Sequence, residues 1–274
     1  MGALLGLLTS FSITSTEIFS RRITNEIGPI VATSIVSLVA AVTTVVVALV
    51  TDGTIIARDM VLGGLSGICF GIGMATYFEG LRISSSAVMG PTVASLSALI
   101  PFGWAAVTDG VPPLLGGLGA AAAVIGLLLV TMGGAAASNV GGGLPFGLAS
   151  GTGYGIGTSL LIDVSDSAGG WPLVSQRIVA FALIAGFALT RRRPLLPPGR
   201  YLIEGSVAGT VSGTSSVLLL AGLAANPAAA SITATMFPAW SVAAGRLLFK
   251  DSVSRTQILG LAVVIGGTIA IVAA

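Results

Sequence analysis

Residues that could carry out catalysis are scarce in this sequence. Its 274 residues include 12 Lys and Arg, 10 Asp and Glu, and no histidine. A membrane-bound prenyl or acyl transferase would need clustered carboxylates for a metal-bound pyrophosphate, or a histidine-based nucleophile system. Asp163 and Asp166 come nearest to such a cluster, and a solvated loop explains them better. We therefore expect no enzymatic activity, no cofactor and no metal site.

A few ionisable residues fall within otherwise apolar runs, where charge usually marks a solute or proton path. Glu17, Glu79 and Glu204 lie near the ends of such runs, so that their side chains can reach the membrane interface. Arg177 lies deeper and keeps its charge. Its position predicts either a structural pair with a carboxylate or helix carbonyls, or an anion-binding role.

The elements that hold these residues must be membrane helices, because 54% of the residues are hydrophobic and only 8% are charged. About 20 apolar residues cross the hydrocarbon core, and runs of that length recur along the chain. We predict an all-α multi-pass protein of the cell membrane whose partners are the lipid bilayer and a small solute, not nucleic acid. The predicted spans are 2–19, 28–50, 59–79, 85–107, 113–132, 144–162, 172–190, 201–221, 227–248 and 256–273.

An internal repeat indicates how these spans are organised. A shift of 142 residues aligns Gly63, Gly67 and Gly71 with Gly205, Gly209 and Gly213. A shift of 141 aligns Gly2, Gly6 and Ser10 with Gly143, Gly147 and Gly151. The sequence therefore predicts two five-helix repeats, 1–138 and 139–274. Because five is odd, the two repeats would lie in opposite orientations in the membrane.

The aligned glycines recur at every fourth position, which leaves one face of a helix without side chains. Close contact between helix backbones becomes possible there. We expect these glycines to pack helices together and to let them rock: Gly63, Gly67, Gly71, Gly147, Gly151, Gly205, Gly209 and Gly213.

The second repeat resembles the EamA-type members of the drug/metabolite transporter superfamily. The resemblance is carried by Phe237-Pro238-Ala239-Trp240 and by the segment 249–260, in which Asp251, Gln257 and Gly260 match an acidic residue, a glutamine and a helix glycine. Asp109, Gly119, Pro91 and Pro101 form a degraded copy in the first repeat. Arg177 matches an arginine that such repeats often carry early in their second helix.

The resemblance implies a small-metabolite carrier with a central cavity between spans 1, 3, 4, 6, 8 and 9. Its cargo would be an amino acid or a related amphipathic compound, its direction export, and a monomer is plausible. The charge distribution places both termini outside the cytoplasm, whereas the resemblance implies the reverse. Candidate solute-binding residues are Phe11, Thr14, Glu17, Tyr77, Ser95, Ser97, Tyr154, Arg177, Thr214, Thr235 and Trp240.

Two other functions remain open at this point. A non-transporting membrane scaffold would show the same composition and spans. A membrane enzyme is disfavoured by the missing histidine and by the absence of a paired-carboxylate motif within one helix.

Overall fold

The computed structural model consists of α-helices, and no strand occurs among the residues that it describes. The described residues are 1–83, 86–108, 110, 113–132, 140–237, 239–240, 244 and 254–273, without the side chains of 17, 21, 22, 25, 78, 81, 82, 86–88, 90, 91, 130–132, 140, 268, 271 and 272. The prediction of an all-helical chain is confirmed. Asp109, Pro238 and Asp251 of the resemblance motifs lie outside the described residues, as do the side chains of Glu17 and Pro91.

Ten α-helices, which we number α1 to α10, occupy the described part of the chain, with a short 3₁₀ helix at Asp166–Ala168 between α6 and α7. Their bounds are Gly2–Glu26, Pro29–Val50, Ala57–Ile83, Ser86–Thr108, Leu114–Met132, Val140–Ile162, Trp171–Thr190, Arg200–Ala225, Pro227–Ala234 and Arg255–Ala273. Most bounds agree with the predicted spans within a few residues.

Two bounds differ from the prediction for clear physical reasons. Helix α1 continues past residue 19 to Glu26, because the polar segment that follows the apolar run contains no proline or glycine before Gly28. Helix α9 ends at Ala234 and is followed by a turn at Thr235, so the prediction of a continuous helix over 227–248 is wrong. Pro238 has no N–H to bond the carbonyl of Ala234, four residues earlier.

Five stretches in the described residues are long and apolar enough to cross a membrane. They are Gly2–Ser20, Pro29–Val50, Ala57–Tyr77, Trp171–Thr190 and Arg200–Ala225. Three further helices are apolar over a shorter length, at Thr92–Thr108, Leu114–Leu129 and Arg255–Gly267. The chain therefore has the helices of a membrane protein.

The glycine faces predicted from the sequence are packed against other helices. Gly63, Gly67 and Gly71 of α3 face α7, where an added Cβ at Gly67 would meet the carbonyl oxygen of Gln176. Gly205, Gly209 and Gly213 of α8 face α2, where a Cβ at Gly209 would lie 2.9 Å from the carbonyl oxygen of Val36. Both faces bring helix backbones closer than any side chain would allow.

Corresponding contacts recur at the same sequence shift elsewhere in the bundle. Gly6 of α1 abuts Thr233 of α9, and Gly147 of α6 abuts Thr92 of α4. Gly126 abuts Val264, and Gly267 abuts Ala123, where α5 packs on α10. In both cases a shift of 141 turns each contact into the other. The helices of 1–138 and 139–274 therefore interleave, and each half packs mainly on the other.

The bundle has two ends, which we name by the carboxylates found there. At the Asp59 end, the linker between α2 and α3 meets the linker between α6 and α7. At the Glu26 end, the C-terminus of α1 meets the N-terminus of α8. Helix α2 runs between the two ends over about 33 Å, at 1.5 Å per residue.

Candidate functional site

A cavity of about 550 Å³ lies inside the bundle, between α1, α2, α3, α4, α6, α7, α8 and the α9 region. Aliphatic and aromatic side chains form most of its wall, and hydroxyl groups are spread among them. The described hydroxyl residues of Ser and Thr on the wall are Thr9, Thr14, Thr16, Ser20, Thr24, Thr33, Ser97, Thr158, Ser212, Ser215, Ser216, Ser231 and Thr235.

Most of these hydroxyls donate to a carbonyl of their own helix, which is the usual arrangement for Ser and Thr in membrane helices. Ser97 donates to Ala94 at 3.2 Å, and Thr235 donates to Ile232 at 2.9 Å. Thr14 is different, because its Oγ1 donates to the carbonyl oxygen of Phe237 at 3.0 Å. That bond joins α1 to the chain just beyond the end of α9.

Arg177 brings a positive charge to the cavity wall from the second turn of α7. Its Nη2 donates to the hydroxyl of Ser216 on α8. Its Nε is buried and has no hydrogen-bond partner among the described residues. Of the two arrangements that the sequence predicts for Arg177, pairing with a carboxylate is not found in the described part of the chain.

The residue before Arg177 extends this polar patch. Gln176 also lines the cavity, and its Nε2 donates to the hydroxyl of Ser66 on α3 at 2.8 Å. Ser66 in turn donates to the carbonyl oxygen of Gly157 on α6 at 2.6 Å. This chain of hydrogen bonds fixes α7 against α3 and α6 beside the guanidinium.

Aromatic and thioether groups form the other side of the cavity. Phe70 and Tyr154 meet edge to face, with ring centroids 5.2 Å apart and planes at 76°. Met74 and Tyr77 continue the same face of α3. Such rings present large, shaped apolar surface to a bound molecule.

The structure brings six of the predicted solute-binding residues to the cavity wall, namely Thr14, Tyr77, Ser97, Tyr154, Arg177 and Thr235. It leaves four others off the wall, namely Phe11, Ser95, Thr214 and Trp240. The side chain of Glu17 is outside the described residues.

The residues off the wall lie on the wrong faces of their helices. Thr214 is exposed and donates to the carbonyl of Thr210, whereas Ser212 and Ser216, two residues to either side, face the cavity. Residues two apart differ by about 200° around a helix. The same displacement separates Ser95 from Ser97 on α4.

Phe11 and Trp240 contact each other away from the cavity. Their rings meet edge to face at 5.8 Å, and the indole N–H of Trp240 donates to the hydroxyl of Ser10 at 2.9 Å. Both side chains are more than one third exposed, Phe11 at 55% and Trp240 at 38%. The expected partner for the polar edge of Trp240 exists, but it lies on α1.

Several wall residues were missed by the sequence analysis, among them Gln176, Phe70, Met74 and Ser216. The neutral amide of Gln176 in an apolar run was a signal that could have been read. Ser212, Ser215, Ser216 and Leu219 also follow helical spacing, which marks one face of α8. Phe70 and Met74 carry no signal that distinguishes them from ordinary packing residues.

The wall positions are related by the same shifts that relate the helix contacts. On α3 and α8, a shift of 142 pairs Phe70 with Ser212, Met74 with Ser216 and Tyr77 with Leu219. On α2 and α7, a shift of 140 pairs Thr33 with Leu173. The same shift pairs Val36 with Gln176. The backbone positions recur, while the side chains differ.

The cavity is closed at the Asp59 end by an apolar cluster. Leu161, Leu173 and Leu223 are each 1% exposed and pack with Ala230. Beyond them, the buried carboxylate of Asp59 accepts from the backbone N–H of Ser165 at 3.2 Å. Arg58 donates to the carbonyl oxygen of Asp163, and Trp104 donates to the Asp163 carboxylate.

Comparison with known proteins gives the fold without a family. No protein-family model and no curated protein matches this chain. Among the solved structures that match is one described only as "Crystal structure of protein", which is 17% identical and has a TM-score of 0.79. The match covers 99% of this chain and 98% of that chain, so the whole helical arrangement occurs in another protein.

Proposed function

We propose that this protein is a carrier that moves a small solute across a membrane by exposing the cavity to one side and then to the other. The single observation that carries the proposal is the cavity itself, which lies where the two halves of the chain meet. Its wall is built from positions that correspond at shifts of 140 to 142 residues. Solute sites of this kind are typical of transporters built from repeats.

The proposal includes an inverted relation between the two five-helix repeats. Helix α1 ends at the Glu26 end, whereas α6, its counterpart, ends at the Asp59 end. Helix α3 begins at the Asp59 end, and α8 begins at the Glu26 end. Corresponding helices thus run in opposite directions along the bundle, which supports an axis of rotation in the membrane plane.

The glycine faces support a rocking motion in this proposal. Where α3 meets α7 and where α8 meets α2, the glycine side of the interface has no side chains to interlock. Two such faces, one in each half, would let helix pairs slide without unpacking. The resemblance to EamA-type transporters supports the further proposal of a small metabolite cargo, such as an amino acid or related amphipathic compound, and of export.

Flux in proteoliposomes tests the proposal. The cargo is first sought by comparing metabolite levels in cells with and without the protein. Purified protein in lipid vesicles should then give saturable flux of that cargo, with counterflow when the solute is preloaded. Flux that rises linearly with concentration, or no flux of any metabolite in the panel, would contradict a carrier.

A matched pair of variants on α8 links flux to the cavity. Ser212→Trp puts a large ring into the wall, and it should lower flux by about tenfold or more because little of the 550 Å³ would remain for a solute. Thr214→Trp puts the same ring on the exposed face of the same helix and should leave flux unchanged. Equal effects of the two substitutions would place transport elsewhere.

A further inference from the structure

The charge balance of the cavity narrows the kind of solute that would bind there. Arg177 is the charged residue on the described wall, and no carboxylate lines the cavity in the described part of the chain. A guanidinium keeps its proton in proteins and is costly to bury without an anion. The cavity therefore lacks a negative charge that a bound molecule could supply.

The hydrogen-bonding state of Arg177 leads to the same conclusion. Ser216 takes one donor at Nη2, and the hydroxyl of Ser216 is itself committed to the carbonyl of Ser212 at 3.2 Å. The buried Nε has no described partner. Nε and Nη2 lie on one edge of the guanidinium, which is the edge that binds the two oxygens of a carboxylate.

On the basis of the proposed carrier function, we propose that the cargo is a small amphipathic monocarboxylate whose carboxylate binds Arg177. Phe70, Met74 and Tyr154 would receive its apolar part. One guanidinium balances one negative charge, so a doubly charged phosphate would remain uncompensated in this wall. The nearby hydroxyls and Gln176 suit neutral polar groups of the same solute.

The site belongs to one half of the chain. The shift of 140 that relates α7 to α2 places Ser37 at the position of Arg177, and Val36 at that of Gln176. Ser37 is buried and carries no charge. The carboxylate would therefore bind toward the α7 and α8 side of the cavity, and the solute would bind in one orientation.

Equilibrium binding to the full-length protein in phosphatidylcholine nanodiscs tests this inference, with empty nanodiscs to correct for lipid partition. The probes are N-acetyl-L-leucine and its neutral amide, N-acetyl-L-leucinamide, which share size and apolar group and differ in the carboxylate. The wild type should bind the acid about tenfold to a hundredfold more tightly than the amide.

Three variants assign that preference to Arg177. Arg177→Gln should abolish the preference for the acid, and Arg177→Lys should keep part of it because a charge remains without the planar fork. Arg200→Gln removes an exposed arginine at the start of α8 and should change nothing. Absence of acid binding, equal binding of acid and amide by the wild type, or a preserved preference in Arg177→Gln would overturn the inference.

The outcome separates the inference from the carrier proposal. Acid binding that depends on Arg177, without saturable flux of any solute in vesicles, would support the site and contradict the carrier. Saturable flux of a neutral solute that persists in Arg177→Gln would support the carrier and contradict the carboxylate site.

Discussion

The Asp59 end and the Glu26 end of the bundle are held together by different chemistry. At the Asp59 end, a carboxylate with no exposed side-chain surface accepts from a backbone N–H, and three leucines seal the cavity beneath it. At the Glu26 end, Tyr201 donates to Glu26, and Arg200 lies 3.5 Å from the same carboxylate. Side chains there are 59% exposed for Arg200 and 45% for Glu26.

These two sets of contacts come from corresponding positions. The shift of 142 that aligns the glycines of α3 and α8 also places Arg58 on Arg200 and Asp59 on Tyr201. A shift of 141 places Ser20 on Leu161, and a shift of 140 places Thr33 on Leu173. The comparison teaches that related backbone positions can form a dry seal at one end and a wetter, polar wall at the other.

For the proposed carrier, this difference indicates which end must change most. Opening the Asp59 end would expose Leu161 and Leu173 and leave the buried carboxylate of Asp59 to find another donor. The contacts at the Glu26 end already face solvent, so water can replace them at small cost. Three substitutions, from the largest expected effect to the smallest, test this difference.

Gly67→Leu should have the largest effect, because it forces apart the two helices whose N-termini build the Asp59 end. Its side chain would collide with the carbonyl of Gln176 and with Val179 on α7. We expect a loss of more than about 3 kcal/mol of stability. Intrinsic tryptophan fluorescence during thermal unfolding in detergent measures the loss.

Gly186→Leu is the matched control, since an added Cβ at Gly186 of α7 meets open space. It should leave the melting temperature nearly unchanged. Similar losses for Gly186→Leu and Gly67→Leu would mean that the flexibility of glycine, and not the packed face, is what the substitution changes.

Asp59→Ala should have an intermediate effect. It removes a buried acceptor and leaves the N–H of Ser165 without its bond, for a cost of about 2 kcal/mol. The melting temperature should fall by several degrees. Asp166→Ala, in the same linker region but exposed, should cause no measurable fall; an equal fall would show that the loss reflects charge in the linkers and not the buried bond.

The glycine ladders show how far the sequence determines the fold. The four-residue spacing of Gly63, Gly67 and Gly71 predicts a flat helix face, and that face exists. The spacing says nothing about the partner helix, because any backbone can pack on a flat face. That α7 is the partner depends on tertiary packing across the two halves.

The site shows a similar limit. Depth within a span was enough to find Arg177 and Tyr154, since each is a large polar side chain in an apolar run. Depth did not separate Ser97 from Ser95, because both lie at the same level on opposite faces of α4. The broken end of α9 is foreshadowed by Pro238, although proline alone does not fix the position of the turn.

Glu26→Gln should have the smallest effect and provides the sharpest test of the difference between the ends. Glutamine retains an acceptor for the hydroxyl of Tyr201 and removes the charge that faces Arg200. Because both partners are exposed, solvent and salt already screen their attraction. We expect the same melting temperature for the variant and the wild type, at low salt and at high salt alike.

A fall as large as that of Asp59→Ala would mean that the Glu26 end is held as firmly as the Asp59 end. The asymmetry would then be confined to the leucines above the cavity, Leu161 and Leu173, against Ser20 and Thr33. Opening the Asp59 end would in that case be opposed mainly by the hydration of apolar surface. Its free-energy cost would weaken on cooling, as hydrophobic stabilisation does, whereas loss of the Asp59 bond predicts no such trend.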